Sequence, residues 1–268
     1  EITLPTGKDN DGNQRTAVCC LSSLNLDTYD EWSEDPQFVE DVMRFLDNVM
    51  NDFIERAPDE FAHAKYSAMR ERSVGLGVMG LHSYFQKKNI PFGSVMSKVW
   101  NKKVFKNIQE KVDAASKSLA EERGACPDAE EYGIKERFSN KTAIAPTASI
   151  SIICGGSSPG IEPIAANSYT HKTLSGSFNV RNKYLKKILS KYKKDTDDVW
   201  SSITTNQGSV SHLDFLTAEE KDTFKTAFEI DQRWIVELGA DRTPHISQAQ
   251  SINIFIPADI HKKDLHNL

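Results

Sequence analysis

Two short stretches of this 268-residue chain carry groups suited to chemistry. The first is Thr142-Ala143-Ile144-Ala145-Pro146-Thr147-Ala148-Ser149-Ile150-Ser151, an apolar run that stops at a proline and opens into hydroxyls and small residues. Where a strand gives way to a helical turn, such residues present backbone N–H groups and Ser/Thr oxygens to an anion. The competing reading is an ordinary helix start whose Thr and Ser cap its own N–H groups, since both uses draw on the same donors. Gly155-Gly156-Ser157-Ser158-Pro159-Gly160 shifts the balance toward the anion, because glycine lets backbone come close to a ligand. The second stretch, Ala17-Val18-Cys19-Cys20-Leu21-Ser22, is a source of thiol redox chemistry. Extended backbone alternates its faces, so Cys19 and Leu21 point one way and Val18 and Cys20 the other. By local sequence alone both cysteines read as small buried hydrophobes. An anion cradle beside a reactive thiol points to a phosphate-bearing substrate that is reduced.

Glu1, next to Ile2 and Leu4, is a candidate general base if its neighbours leave it partly desolvated; taken alone it reads as an exposed charge. Gly75-Leu76-Gly77-Val78-Met79-Gly80 matches G-x-G-x-x-G, but Met69-Arg70-Glu71-Arg72 precedes it and Ser94-Val95-Met96-Ser97 lies about 20 residues on, without the acidic residue of a dinucleotide site. Its glycines read as close helix-to-strand packing. Cys126 and Cys154 read as structural. The four cysteines contain no C-x-x-C pair and no histidines at zinc spacing, so neither a disulfide framework nor a metal site is expected.

A 38% hydrophobic content fills a sizeable core, and a net charge of −5 with lysines flanked by aspartates gives no nucleic-acid footprint. No apolar run approaches the roughly 20 residues of a membrane span, and Glu1-Ile2-Thr3-Leu4-Pro5-Thr6 lacks the regions of a signal peptide. The expected setting is cytoplasmic, without membrane or nucleic-acid partners. The first residue is not Met and Glu1 opens an apolar segment, so the chain reads as a piece of something longer.

Several elements must position these groups. Ile2 to Leu4 and Thr16 to Leu26, separated by a polar turn, have hairpin spacing. Phe38, Val42, Phe45, Leu46, Val49, Phe53 and Ile54 repeat at three and four, predicting a helix from Pro36 to Arg56 halted before Pro58. Val74 to Val78 fits either a short strand or a helix start. A long helix is predicted from Ser94 to Glu122, stopped by Gly124. Val180 to Lys193 reads as a Lys-rich helix, and the Thr217-Ala218-Glu219-Glu220 capping box launches another that runs to Gly239. Ser251 to Pro257 reads as a strand and Ala258 to Leu268 as the start of a helix. Strands alternating with helices predict an α/β fold, a parallel or mixed sheet wrapped by helices.

With these residues in hand, the chain resembles the catalytic, or large, subunit of ribonucleotide reductase of the aerobic, diiron-partnered type. Glu1-Ile2-Thr3-Leu4-Pro5, Ala17 to Leu26, Arg72 to Gly77, Gly124-Ala125-Cys126-Pro127, Ala145 to Ser151, Gly160-Ile161-Glu162-Pro163 and Phe255-Ile256-Pro257-Ala258-Asp259 recur in family order along essentially the whole chain. The resemblance implies an α/β fold that is the second half of a ten-stranded α/β barrel, with residues 1–268 forming a single catalytic-barrel portion that starts just after the tip of a central finger loop. The family tip reads N-x-C-x-E; Glu1 matches its glutamate, and the N-terminal half with the radical cysteine is absent, as is the C-terminal cysteine tail.

The implied reaction is a radical dehydration of ribonucleoside diphosphates to deoxyribonucleotides. Carried over by motif, Glu1 is the base, Cys19 is one of two reducing thiols, and Pro146, Thr147, Ala148, Ser149 and Ile150 hold the substrate phosphates. Some relatives carry a glutamate where this sequence has Ala148, so only backbone donation transfers there. The seven tyrosines include no adjacent pair of the kind that relays the radical in the family. The implied partners are the N-terminal half, a small radical-generating subunit holding a diiron or related metal-radical centre, and thioredoxin or glutaredoxin as reductant. No cofactor is expected on this chain, which alone is predicted inactive. An adenosylcobalamin-dependent reductase, a noncatalytic nucleotide-binding or regulatory remnant, and an interaction module are the competing readings.

Overall fold

The computed structural model describes residues 1–173 and 176–267. The first half of the chain runs β1 (Gly7–Lys8), β2 (Gln14–Arg15), β3 (Cys20–Asn25), α1 (Tyr29–Trp32), α2 (Phe38–Arg56), α3 (Ala62–Glu71), β4 (Val74–Met79), α4 (Leu81–Lys87), α5 (Val95–Arg123) and α6 (Pro127–Glu130). The second half runs α7 (Ile150–Ile153), β5 (Ser168–Thr173), β6 (Gly176–Arg181), α8 (Lys183–Lys191), α9 (Asp197–Thr205), α10 (Ala218–Thr223), α11 (Arg233–Arg242) and α12 (Lys262–Asn267).

The frame is parallel. β3 pairs with β4, from Cys20 opposite Val74 to Asn25 opposite Met79. Leu76 then bridges in parallel to Thr142, and Ile144 to Gln250. Every residue of β4 is buried, which explains the ambiguity of its sequence: a strand covered on both faces has no polar residue to mark its period. Helices α2 and α3 cross over from β3 to β4, and α4 and α5 lead on to Thr142, giving a partial α/β barrel with helices outside. One core joins Leu24, Leu76 and Val78 of the strands to Met43 and Leu46 of α2 and to Phe105 and Ile108 of α5. Such side chains contribute about 1.5–3 kcal/mol each when fully buried. A smaller cluster holds Leu185, Leu189, Trp200, Ile203 and Phe224 beneath α8, α9 and α10.

The predicted helices α2 and α5 form where their periodicity put them. Ser94 caps α5 through a reciprocal bond with Ser97, and Gly124, at φ +86°, ends it. The G-x-G-x-x-G run is packing, but of strand against neighbouring strand and extended segment rather than helix against strand. A Cβ on Gly77 would lie 2.3 Å from the Ala143 carbonyl oxygen of the adjacent segment, and Gly80, at φ +83°, turns the chain into α4.

Five boundaries differ from expectation. Ile2 to Leu4 is not a strand and does not pair with Thr16 to Leu26; the antiparallel hairpin is only β1 with β2, and the cysteine strand takes a parallel partner some fifty residues away. The helix launched at Thr217 breaks after Thr223, because Ala227 N–H donates to Ile164 O and Glu229 captures both the amide and hydroxyl of Thr226. Its successor α11 runs through Gly239, which does not stop the helix; a Cβ there would meet Ile252 Cδ1 at 3.1 Å. The Lys-rich helix begins only after Asn182, whose side chain caps α8, and the residues before it form β6. Ser251 to Pro257 is not a strand: its ladder contact is the Gln250 bridge and the Ser251 bond at its edge, and Phe255 N–H donates to the Gln232 side chain instead; α12 starts at Lys262, and Leu268 lies outside the described residues. No helix among the described residues is long and apolar enough to cross a membrane.

Candidate active site

Cys19 lies one residue before β3, half-buried, with its sulfur over Gly75 of β4. A Cβ on Gly75 would stand 3.3 Å from Cys19 Sγ and 2.4 Å from Leu21 Cδ2, so Cys19 and Leu21 share one face, as the alternation requires. Cys20 packs against the main core. The sulfur accepts from Gln248 Nε2 at 3.4 Å and from Ser73 Oγ at 3.8 Å, and donates to Cys20 O at 3.9 Å. Burial pushes the Cys19 thiol upward in pKa, the Gln248 and Ser73 hydrogen bonds oppose that rise, and the carboxylates of Glu71 and Glu1 add to it.

Glu1 has an exposed side chain, but its backbone is fixed beside the thiol. Ala249 N–H donates to Glu1 O at 3.0 Å, and Thr3 N–H donates to Gln248 Oε1 at 3.1 Å. One glutamine therefore touches both the segment of the candidate base and the candidate reducing thiol.

The hydroxyl-rich turn is an open cradle. Thr147 sits at φ +53°, and its hydroxyl oxygen accepts the Gly160 amide at 2.7 Å while its carbonyl accepts the Ser151 amide. The Thr147 hydroxyl thus holds the turn in shape. Ser149 makes no side-chain cap, and the amides of Ala148, Ser149 and Ile150 have no protein acceptor among the described residues. The two uses weighed for these donors separate here: the turn does not consume its own N–H groups, and Pro146, Ala148, Ser149 and Ile150 are exposed.

Leu21, Ser22 and Ser23 of β3 and residues Ala145 and Thr147 to Ile150 line one cavity of about 250 Å³. β3, the strand that follows Cys19, therefore forms one wall of a hollow that the turn also lines, while neither Cys19 nor Glu1 lines it. A second cavity, about 380 Å³, lies on the other side of the turn against Ala148, Ser151, Ile152, Tyr169, Asn182 and Tyr184; neither Cys19 nor Glu1 lines it.

Sequence reasoning missed the residues that hold this arrangement. Asp27, buried, accepts from Ser157 Oγ at 2.6 Å, Tyr184 OH at 2.7 Å and Lys183 Nζ at 2.6 Å, tying the glycine-rich loop after the turn to α8. Burial and the Asp27 bond push the Tyr184 phenol well up. Glu162, also buried and raised in pKa by that burial, accepts from Asn253 Nδ2 at 2.6 Å. The aspartate and the glutamate stand in motif-bearing or turn segments, but nothing local predicts their partners. Cys126 is buried and Cys154 exposed, both free, and no group of three or more His, Cys, Asp or Glu side chains among the described residues is placed to hold a metal ion.

The family model for the ribonucleotide reductase barrel domain matches residues 1–136 and 128–268. The chain belongs to the ribonucleotide reductase barrel-domain family. It is 48% identical to the ribonucleoside-diphosphate reductase large subunit of Invertebrate iridescent virus 6, over all of this chain and 28% of that protein. It is 44% identical to the large subunit of Invertebrate iridescent virus 3, over all of this chain and 42% of that protein. Among solved structures, the class Id ribonucleotide reductase alpha subunit of Actinobacillus ureae superposes with a TM-score of 0.90 at 40% identity, covering all of this chain and 48% of that one. The chain thus spans less than half the length of these relatives, and the partial barrel is the ribonucleotide reductase fold.

Proposed function

We propose that residues 1–268 form the reducing and phosphate-gripping side of a ribonucleoside-diphosphate reductase active site. The observation that carries this reading is a juxtaposition: the turn whose Ala148, Ser149 and Ile150 amides are free lines one cavity together with β3, the strand that follows Cys19. In this reading the turn from Pro146 to Ile150 binds the diphosphate through backbone N–H groups, and Glu1 removes the 3′-hydroxyl proton. Cys19 and a second thiol outside these residues supply two electrons and two protons. The ribose 2′-hydroxyl leaves as water and the thiol pair becomes a disulfide.

The initiating thiol that the family places in N-x-C-x-E is not among residues 1–268, so turnover requires an N-terminal half, a small radical-generating subunit and a dithiol reductant of the thioredoxin or glutaredoxin kind. In this reading a diiron or related metal-radical centre belongs to the small subunit. A reducing, cytoplasmic setting accords with four free cysteines.

The test is reconstitution with an N-terminal half, a small subunit and dithiol, followed by assay for deoxyribonucleotide. Turnover with the parent chain and its loss with Cys19→Ser are expected. An assembled complex that binds nucleoside diphosphate yet yields no deoxynucleotide, or that works equally well with Cys19→Ser, refutes the reading.

A further inference from the structure

The sulfur of Cys19, the segment bearing Glu1 and the start of β4 meet at one side chain. Gln248 Nε2 lies 3.4 Å from Cys19 Sγ, 3.2 Å from Val74 O and 3.5 Å from Ser73 Oγ. Its Oε1 accepts the Thr3 amide at 3.1 Å. A primary amide has two N–H bonds. The Val74 carbonyl, at the shortest distance, takes one; the sulfur and the Ser73 hydroxyl compete for the other. The backbone around Gln248 is itself held, with Gln248 N–H donating to Thr142 O and Ala249 N–H to Glu1 O. Gln248 is therefore fixed against the run leading into the anion turn on one side and against the Glu1 segment on the other.

We propose that Gln248 is the positioning residue of the reducing thiol, aiming Cys19 Sγ, favouring its thiolate and keeping the Glu1 segment in register with it. The inference rests on reading Cys19 as a reducing thiol. A hydrogen bond to the ionised sulfur is stronger than one to the neutral thiol, because a charged acceptor strengthens the bond. The charged and titratable groups acting on this sulfur are the carboxylates of Glu71 and Glu1 and the neighbouring Cys20 thiol. Both carboxylates oppose ionisation, so the neutral donors Gln248 and Ser73 are what offset burial. When the disulfide formed in each turnover is reduced again, the thiolate of the external dithiol attacks and a disulfide sulfur leaves as thiolate, so a side chain that stabilises the Cys19 thiolate makes Cys19 the better leaving group in that step.

The full chain, carrying Cys20→Ser so that Cys19 reports alone in its peptide, is alkylated with iodoacetamide from pH 6 to 10 and followed by peptide mass mapping. Gln248→Leu is expected to slow alkylation of Cys19 at pH 7.5 roughly threefold to fivefold and to move the midpoint of its pH profile upward. Gln248→Glu, nearly the same shape but a carboxylate at the sulfur, is expected to shift the midpoint further in that direction. Exchange of the Thr3 amide is expected to speed up in the Leu variant, where the Oε1 acceptor is gone, and less in the Glu variant, which retains an acceptor. An unchanged pH midpoint in the folded Gln248→Leu chain overturns the proposal; if that variant does not fold, an unchanged midpoint in Gln248→Glu does so. The alkylation profile is read without any turnover, so its failure is distinguishable from failure of the reductase reading, which shows as activity surviving Cys19→Ser.

Discussion

The two best-defined polar centres of this chain are built in opposite ways. Asp47 of α2 is fully buried and accepts five hydrogen bonds from three guanidinium groups: two from Arg72, two from Arg137 and one from Arg123. Its two oxygens are crowded with donors, and the arginines come from the start of the β4 segment, the loop after α6 and the end of α5. Cys19, half-buried, is held by a glutamine at 3.4 Å and a serine at 3.8 Å. The saturated centre locks four parts of the chain and has nothing left to offer a ligand. The lightly held thiol and the three unpaired amides of the turn keep their capacity for another molecule.

The largest expected effect comes from breaking the saturated centre. Asp47→Ala strands Arg72 and Arg137, whose side chains are only 9% exposed, without a counter-charge. Removing one partner from a buried ion network costs about 3–5 kcal/mol, read as a fall in the urea midpoint. The surrounding arginine bonds hold the Asp47 carboxyl below its ordinary pKa even though burial alone pushes it up. A depressed acid contributes stability that is present above its unfolded value near 3.8 and is lost as pH falls through the folded value. The parent chain is therefore expected to lose this contribution below about pH 4, while Asp47→Ala shows no such loss from this site. Loss of less than about 1 kcal/mol at pH 7 would mean that the arginines find other partners and that the centre is not a lock.

A pair of glycines sharpens the same contrast within one strand. Gly77 of β4 faces rigid backbone: a Cβ would stand 2.3 Å from Ala143 O and 3.3 Å from Ala143 C. Gly75, two residues earlier, faces chiefly the end of the Leu21 side chain at 2.4 Å, a flexible group on a residue 40% exposed, with the Ala143 Cβ behind it at 3.0 Å. Gly77→Ala is expected to destabilise by about 2–3 kcal/mol through strand separation, and Gly75→Ala by about 1 kcal/mol or less. Thermal melts of the two variants compare them directly. The Gly75 change also crowds Cys19 Sγ and is expected to slow its alkylation, an effect Gly77→Ala does not share unless the strand pair opens.

What was legible in the sequence follows from how local each cause is. The periods of α2 and α5, the Ser94 cap and the Gly124 stop are written within a few residues, and both helices stand where they were expected. β3 and β4 pair across fifty residues in parallel, so hairpin spacing misled for Ile2 to Leu4 and Thr16 to Leu26. The break at Thr226 depends on Ile164, which no local pattern reveals. Cys19 and the Pro146 to Ile150 turn stood out through the order of family motifs rather than local pattern, since by themselves the cysteine reads as a small buried hydrophobe and the turn as a helix start. Gln248 did not: a glutamine in Gln248-Ala249-Gln250 has no chemistry of its own until folding brings it 229 residues back to the sulfur.

Glu71 stands between the two kinds of centre and gives the smallest and most diagnostic test. It is 2% exposed; one carboxyl oxygen takes an Arg15 hydrogen bond at 3.2 Å, and the other, Oε2, is buried with no partner among the described residues. Burial pushes its pKa from 4.5 to about 7, with Arg15 resisting and Asp128 adding to the rise. A raised acid binds its proton more tightly in the folded state, so its contribution is fully present below pH 4.5 and is lost as pH climbs through about 7. Glu71→Gln supplies a neutral side chain of the same shape and removes that loss. Its stability relative to the parent is expected to improve by roughly 1–2 kcal/mol between pH 5 and pH 8, measured by urea denaturation at each pH. Because the Glu71 carboxylate also disfavours the Cys19 thiolate, the same variant is expected to alkylate Cys19 slightly faster at pH 8. A stability difference that stays flat across this range would place Glu71 with Asp47, as an ionised member of the saturated network rather than a carboxyl left partly unpaired beside the thiol.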